Sequence, residues 1–394
     1  MVRLFKVILT LLLFFIFMSC SDEPNLVGVG LLSNSDLLDV AQVNSMQAKL
    51  QQQSKFYTDS LNLTSSKILM LGKHDNVEST MLMKFLIFLP DSLKEAVNNK
   101  TLQILSSTIE MDPIYTYADK SNPFDFTVHK INSSWNSLTF TKDSLASLDY
   151  DDVDRSSNRV YEDTLITFDF DQELAKEWLE LSASADQVSN KGLYFNYTPG
   201  SDKIIGFPAI SYSNENKLAR LKIIVEVPNS FVDTIVVPVT SDVHVVDGEL
   251  PIGNSENIFV QGGITVRSSF KIDISMIPDN TIINKATLRF YYDDSESLIG
   301  TKPSDSLGVL ALSDYELNKI DKTLAPTLLR KDSTFYSGDI TGYVQRWVSD
   351  QENNGLQIFL ANELSTVNKV ALKGSSTADE NLKPYLEIIY TAKK

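Results

Sequence analysis

Apolar residues along the chain fall in short runs separated by Asn, Asp, Gly and Pro. Examples are Met81 to Phe88, Thr101 to Leu105, Asp125 to Ile131, Leu221 to Val227, Phe231 to Val239, Ile264 to Ile274 and Thr287 to Tyr292. In several of them apolar and polar positions alternate, the period of a strand with one buried face. Runs of this kind, closed by turn residues, predict packed antiparallel sheets rather than alternating strands and helices. Two segments carry a different period. Ile340, Tyr343, Val344, Trp347 and Val348 follow helical spacing, and Phe170, Leu174 and Trp178 do the same earlier. Each predicts one short amphipathic helix.

The pattern repeats. Leu89-Pro90-Asp91 returns as Ile277-Pro278-Asp279, and Thr101-Leu102-Gln103-Ile104 as Thr287-Leu288-Arg289-Phe290. Glu177-Trp178-Leu179 returns as Arg346-Trp347-Val348, and Asn190-Lys191-Gly192-Leu193 as Asn353-Asn354-Gly355-Leu356. Leu221-Lys222-Ile223-Ile224 returns as Leu386-Glu387-Ile388-Ile389. Matches in the same order, at offsets of 163 to 188 residues, predict two tandem β-domains over 55–228 and 229–394, with the junction near Pro228 to Val239. Residues 20–54 are polar, ending in Gln51-Gln52-Gln53, and read as a tether.

The close of the second repeat resembles a DNRLRE-type domain. The resemblance rests on Asp339 through Trp347, then Asn353-Asn354-Gly355-Leu356, then Lys383 through Tyr390. Phe270 through Ile274, Ile277-Pro278 and Ala286-Thr287-Leu288 add to it, as do Val128 through Ile131, Trp135 and Thr139 in the first repeat. The string that names the family is absent here. The resemblance implies an all-β fold of two tandem jelly-roll-like antiparallel sandwiches, each with one short helix. It also implies either a carbohydrate-binding or a structural cell-surface module.

The first residues predict export from the cytoplasm. Arg3 and Lys6 precede an apolar run from Val7 to Met18, a signal-peptide pattern over residues 1–19. Those 12 residues rise about 18 Å as a helix, short of a hydrocarbon core of roughly 30 Å. Phe17-Met18-Ser19-Cys20 resembles the bacterial lipobox, which implies lipid on Cys20 and a membrane attachment through it. Cys20 is the only cysteine among 394 residues, so no disulfide or cysteine metal site forms within one chain. Ser21-Asp22-Glu23 resembles the export signal of Bacteroidota lipoproteins, which implies the outer membrane, facing the exterior. A net charge of −16 argues against nucleic acid as a partner, because the field repels a polyanion.

Catalytic chemistry finds little to work with. His74, His129 and His244 are not at metal-ligand spacing, and no nucleophile elbow or phosphate loop occurs. The expectation is a chain that is not an enzyme and needs no cofactor. Asp149, Asp151, Asp152 and Asp154 form an acidic run whose hard oxygens suit structural calcium, with a solvated loop as the alternative. A sugar ring stacks through its C–H groups on aromatic faces. The ligand candidates are therefore unrepeated tyrosines near loops or polar residues: Tyr115, Tyr117, Tyr150, Tyr194, Tyr197, Tyr315 and Tyr336. Trp178 and Trp347 lie on the apolar helix faces and read as packing. The functional expectation is a non-catalytic surface lipoprotein that binds extracellular polysaccharide; the alternative is a structural or adhesive one that contacts a protein.

Overall fold

The computed structural model describes residues 38–60, 63–184, 190–279, 281–349 and 352–393. The signal segment, Cys20 and the first part of the expected tether lie outside these residues. The chain is all-β, with three antiparallel sheets among the described residues.

Two of the sheets face each other across a first core. One has seven strands: β3 (Ile68–His74), β4 (Val77–Lys84), β6 (Tyr115–Tyr117), β7 (Phe126–Lys130), β10 (Leu193–Tyr197), β11 (Lys203–Pro208) and β14 (Ser241–Gly248). The other has five: β5 (Gln103–Met111), β8 (Ser156–Tyr161), β9 (Ile166–Phe170), β12 (Arg220–Val227) and β13 (Phe231–Pro238). Period two sets which residues go inward. On β12, Leu221, Ile223 and Val225 are buried while Lys222, Ile224 and Glu226 are less so. Met81, Met83, Phe126, Phe168 and Phe195 meet them from the other strands.

The third sheet has twelve strands. These are β1 (Leu38–Asn44), β2 (Gln52–Thr58), β15 (Asn257–Gln261), β16 (Val266–Ile272), β17 (Ile282–Leu298) and β18 (Ser306–Asp314). The rest are β19 (Lys319–Ile320), β20 (Thr327–Asp332), β21 (Phe335–Asp339), β22 (Leu356–Leu360), β23 (Lys369–Lys373) and β24 (Tyr385–Lys393). Strand β17 is long enough to pair with β21 and β24 first and with β23 further on, so the sheet folds back on itself around a second core. Phe270, Leu288, Phe290, Val309, Ile358 and Ile388 fill that core.

Both expected helices are present. Gln172–Ala183 is capped by Asp171, whose carboxylate accepts the Leu174 N–H at 2.8 Å, and it buries Leu174, Trp178 and Leu179. Thr341–Ser349 buries Tyr343, Val344 and Val348. Two helices carry no signal in the sequence reading above, Asp91–Asn98 and Lys142–Ala146.

Two boundaries differ from the sequence expectation. Within the expected tether the described residues, from Leu38 onward, include two strands. β1 pairs with β24 from Leu38 opposite Lys393 to Asn44 opposite Glu387, and β2 pairs with β16. Val43, Leu50 and Phe56 then pack against the second core, and these few apolar positions are thinly spread in a polar stretch. The division at 228/229 falls in the turn between β12 and β13. The chain keeps pairing with the first sheets through β14, which lies along β4 from Ser241 to Gly248. The N-terminal strands thus belong to the second core, and residues 229–248 to the first.

Candidate functional site

The tyrosines chosen from sequence separate into three environments. Tyr115, Tyr117 and Tyr336 are wholly buried. The Tyr115 hydroxyl donates to Asn368 Oδ1 at 2.7 Å and accepts the Val367 N–H at 3.2 Å, so it ties the two cores together. Tyr336 donates to the Ser304 carbonyl at 2.6 Å. Burial pushes the pKa of all three hydroxyls well up. Their rings are packing elements and offer no face to a sugar. Tyr315 is also buried, with the Lys55 ammonium 4.6 Å from its ring.

Tyr150, Tyr194 and Tyr197 come together on the outer face of the seven-stranded sheet. On β10, Leu193 and Phe195 point into the core, which turns Tyr194 outward. Its ring centroid lies 4.8 Å from that of Tyr150, and His129 sits 5.5 Å from Tyr150. Tyr197 donates to Glu78 Oε2 at 2.6 Å. Trp135, Phe140 and Leu145, from the segment around helix Lys142–Ala146, pack over part of this face. Only Tyr150 stands out, at 36% exposure, and burial pushes the Tyr194 hydroxyl up to about 12.

The acidic run does not form a calcium loop. Asp151 pairs with Arg155 at 2.5 Å and accepts the Lys130 N–H. Asp154 pairs with Arg159 and accepts the N–H of Val128 and the N–H and hydroxyl of Ser156. Burial raises the Asp154 pKa, but those bonds outweigh it and hold the carboxyl below its usual range. The Asp149 carboxylate receives a 3.4 Å contact from the Asn132 amide. Neither calcium nor simple solvation describes Asp151 and Asp154, which two nearby arginines hold in ion pairs. Among the described residues no group of three or more His, Cys, Asp or Glu side chains is arranged to hold a metal.

The outer face of the twelve-stranded sheet presents a different arrangement. β17 sends Leu288 and Phe290 inward and Thr287, Arg289 and Tyr291 outward. β24 sends Leu386 and Ile388 inward and Tyr385 and Glu387 outward, while β21 buries Tyr336 and turns Phe335 and Ser337 out. Register then aligns Tyr385, Arg289, Ser337 and Arg330 in one row across four strands, with Tyr291 opposite Phe335 beside it. At about 4.8 Å between strands, that row spans roughly 14 Å.

Arg289 stands in the middle of the row. Its guanidinium lies 4.2 Å from the Phe335 ring centroid and 5.3 Å from that of Tyr385. The side chain has no hydrogen bond or ion pair among the described residues, and its Nε is covered without an acceptor. Glu387, the neighbouring carboxylate, is taken by Gln42 at 2.6 Å and by the Tyr385 hydroxyl at 3.2 Å. Arg155, Arg159 and Arg267, in contrast, each pair with carboxylates. The arrangement is a row of partly buried rings around a cation whose terminal N–H groups have no partner among the described residues. In the sequence, Thr287 to Phe290 stands out as a repeat signature, which hides the outward row. The alternation through Tyr291 was the available signal.

A cleft of about 480 Å³ opens where the two cores meet, with Phe124, Tyr161, Lys120, Asp163 and Thr301 in its wall. No protein-family model and no curated protein matches the chain.

Proposed function

We propose that this chain is a non-catalytic lipoprotein of the outer cell surface, held by lipid on Cys20, with two tandem β-sandwich modules that bind extracellular glycan. The observation that carries the reading is Arg289, set between Phe335 and Tyr385 on an open sheet face with no carboxylate of its own. Aromatic rings take the apolar C–H face of a sugar, and a guanidinium fork donates to oxygens held in the ring plane. A stacked arginine keeps that fork fixed before the ligand arrives, so less side-chain entropy is lost on binding. A flat surface suits an extended polymer better than a single small molecule. The signal segment and Cys20 support display outside the cell.

The test is a polysaccharide screen on the detergent-solubilised full chain, followed by Arg289→Gln. Saturable binding to one glycan class, weakened at least about tenfold by the substitution (roughly 1.4 kcal/mol), is expected. Equal binding by the two proteins removes this face from the reading. In the same preparations labelled fatty acid should enter the wild type and not Cys20→Ala.

A second reading, adhesion to a protein, is favoured by β13. It is an edge strand of the five-stranded sheet, with Phe231, Val232 and Val236 all exposed. An apolar edge with free backbone groups can accept a strand from a partner.

A further inference from the structure

The two tryptophans that recur in the repeat have different surroundings, and the difference has a visible cause. Trp178 is 2% exposed and lies 5.2 Å from Phe170. Helix Asp91–Asn98 packs on the helix that carries it, and Leu93 joins Trp178 in the first core. That covering helix begins at Asp91, the last residue of Leu89-Pro90-Asp91. In the matching Ile277-Pro278-Asp279 the chain enters β17 at Ile282, which leaves no length for a helix. Trp347 is consequently only partly buried, and a cleft of about 350 Å³ opens beside it.

We infer that this cleft is a second saccharide subsite, in which the Trp347 indole stacks on the face of an uncharged pyranose. Its size falls in the range of about 300–1,000 Å³ typical of small-molecule sites. Around the indole stand Gln51 and Gln53 from the N-terminal segment, with Lys271, Asp273 and Asp279. The side chains of Gln51, Gln53 and Asp279 are exposed and have no hydrogen-bond partner among the described residues, so their donors and acceptors are open to sugar hydroxyls. The mix of amides, carboxylates and one ammonium has no dominant positive charge, which favours a neutral sugar over an acidic one. The subsite rests on the glycan-binding reading but uses a surface separate from the Arg289 row.

The experiment follows tryptophan fluorescence and acrylamide quenching of the full chain with cellohexaose, xylohexaose and mannohexaose. At least one of them is expected to shift the emission saturably and to shield part of it from quencher. Trp347→Phe should remove the shift. Gln53→Ala, at an exposed position, should weaken binding several-fold without altering the melting temperature. Arg289→Gln should leave this response unchanged. The inference is overturned if Trp347→Phe retains the response. It is also overturned if none of the three sugars shields the indole while Arg289-dependent polysaccharide binding is intact. Loss of both responses together overturns the glycan reading itself.

Discussion

Asp242 and His244 stand two residues apart on β14, both buried, and burial moves their titrations in opposite directions. Desolvation pushes Asp242 up to about 6, although the Ile210 N–H, donating at 2.6 Å, works against it. Desolvation pulls His244 down to about 4, and its Nδ1 has no partner. The His244 pKa is depressed on folding, so its contribution is full above an unfolded value near 6.5 and is lost as pH falls towards about 4. The Asp242 pKa is raised, so its contribution is full below about 3.8 and is lost as pH rises through about 6. The two slopes oppose each other over the shared window, which flattens stability there. Asp242→Asn removes the cost of holding a buried carboxylate ionised and keeps an oxygen for the Ile210 N–H. It should stabilise the fold at pH 8 by on the order of 2–3 kcal/mol and leave it nearly unchanged at pH 4. Urea unfolding at the two pH values checks this; an equal effect at both would remove the desolvation argument.

Between residue and sheet, the Asn-X-Gly-Leu element is built the same way twice. Asn190 donates its amide to the Phe85 carbonyl at 2.7 Å, and Asn353 donates to the Ile272 carbonyl at 2.6 Å. The glycine two residues on has positive φ in both, +91° at Gly192 and +78° at Gly355. A Cβ at Gly355 would lie 2.6 Å from the Phe270 carbonyl oxygen. Gly355→Ala should therefore cost about 1–3 kcal/mol through backbone strain, with further loss from the displaced carbonyl. Thermal unfolding measures it, and an unchanged melting temperature would contradict the geometry. This element was legible in the sequence because its requirements are local: a turn that needs glycine and a side chain that reaches one strand. The same holds for β12, β13 and the two amphipathic helices, whose periods show directly. The pairing of β1 with β24 was not legible, since it joins residues about 350 apart and leaves no local period in Leu38–Asn44. For the candidate site, residue type was readable and direction was not. Alternation through Phe335-Tyr336-Ser337 shows that Tyr336 and Phe335 oppose each other, but only the packed sheets decide which one faces the core.

At the scale of the molecule the question is whether the two cores act as one body. A third cluster lies between them, with Ile68, Met70, Tyr115, Tyr117 and Ile204 from one side and Val367 from the other. Ser66 donates to the Leu364 carbonyl at 2.6 Å, and Lys369 pairs with Asp75 at 2.6 Å. Asn368 is central and wholly buried. Its Oδ1 accepts from Tyr115 and from the Gly300 N–H, and its Nδ2 donates to the Lys302 carbonyl and Ser304. Of these four bonds the one to Tyr115 crosses between the cores and the other three hold Asn368 in its own half, an anchoring that independent modules on a flexible linker would not bury at their boundary. A rigid junction holds the Arg289 face and the first core at a fixed separation. Asn368→Ala strands the Tyr115 hydroxyl and the Gly300 N–H in a buried site, at about 1–3 kcal/mol for each unsatisfied group. Neither core loses an apolar side chain. Calorimetry should accordingly show one cooperative transition for the wild type and two separated transitions for Asn368→Ala, because the substitution weakens the coupling while leaving each core its own packing. A single transition shifted as a whole would mean instead that the exchanged strands β1, β2 and β14 couple the halves.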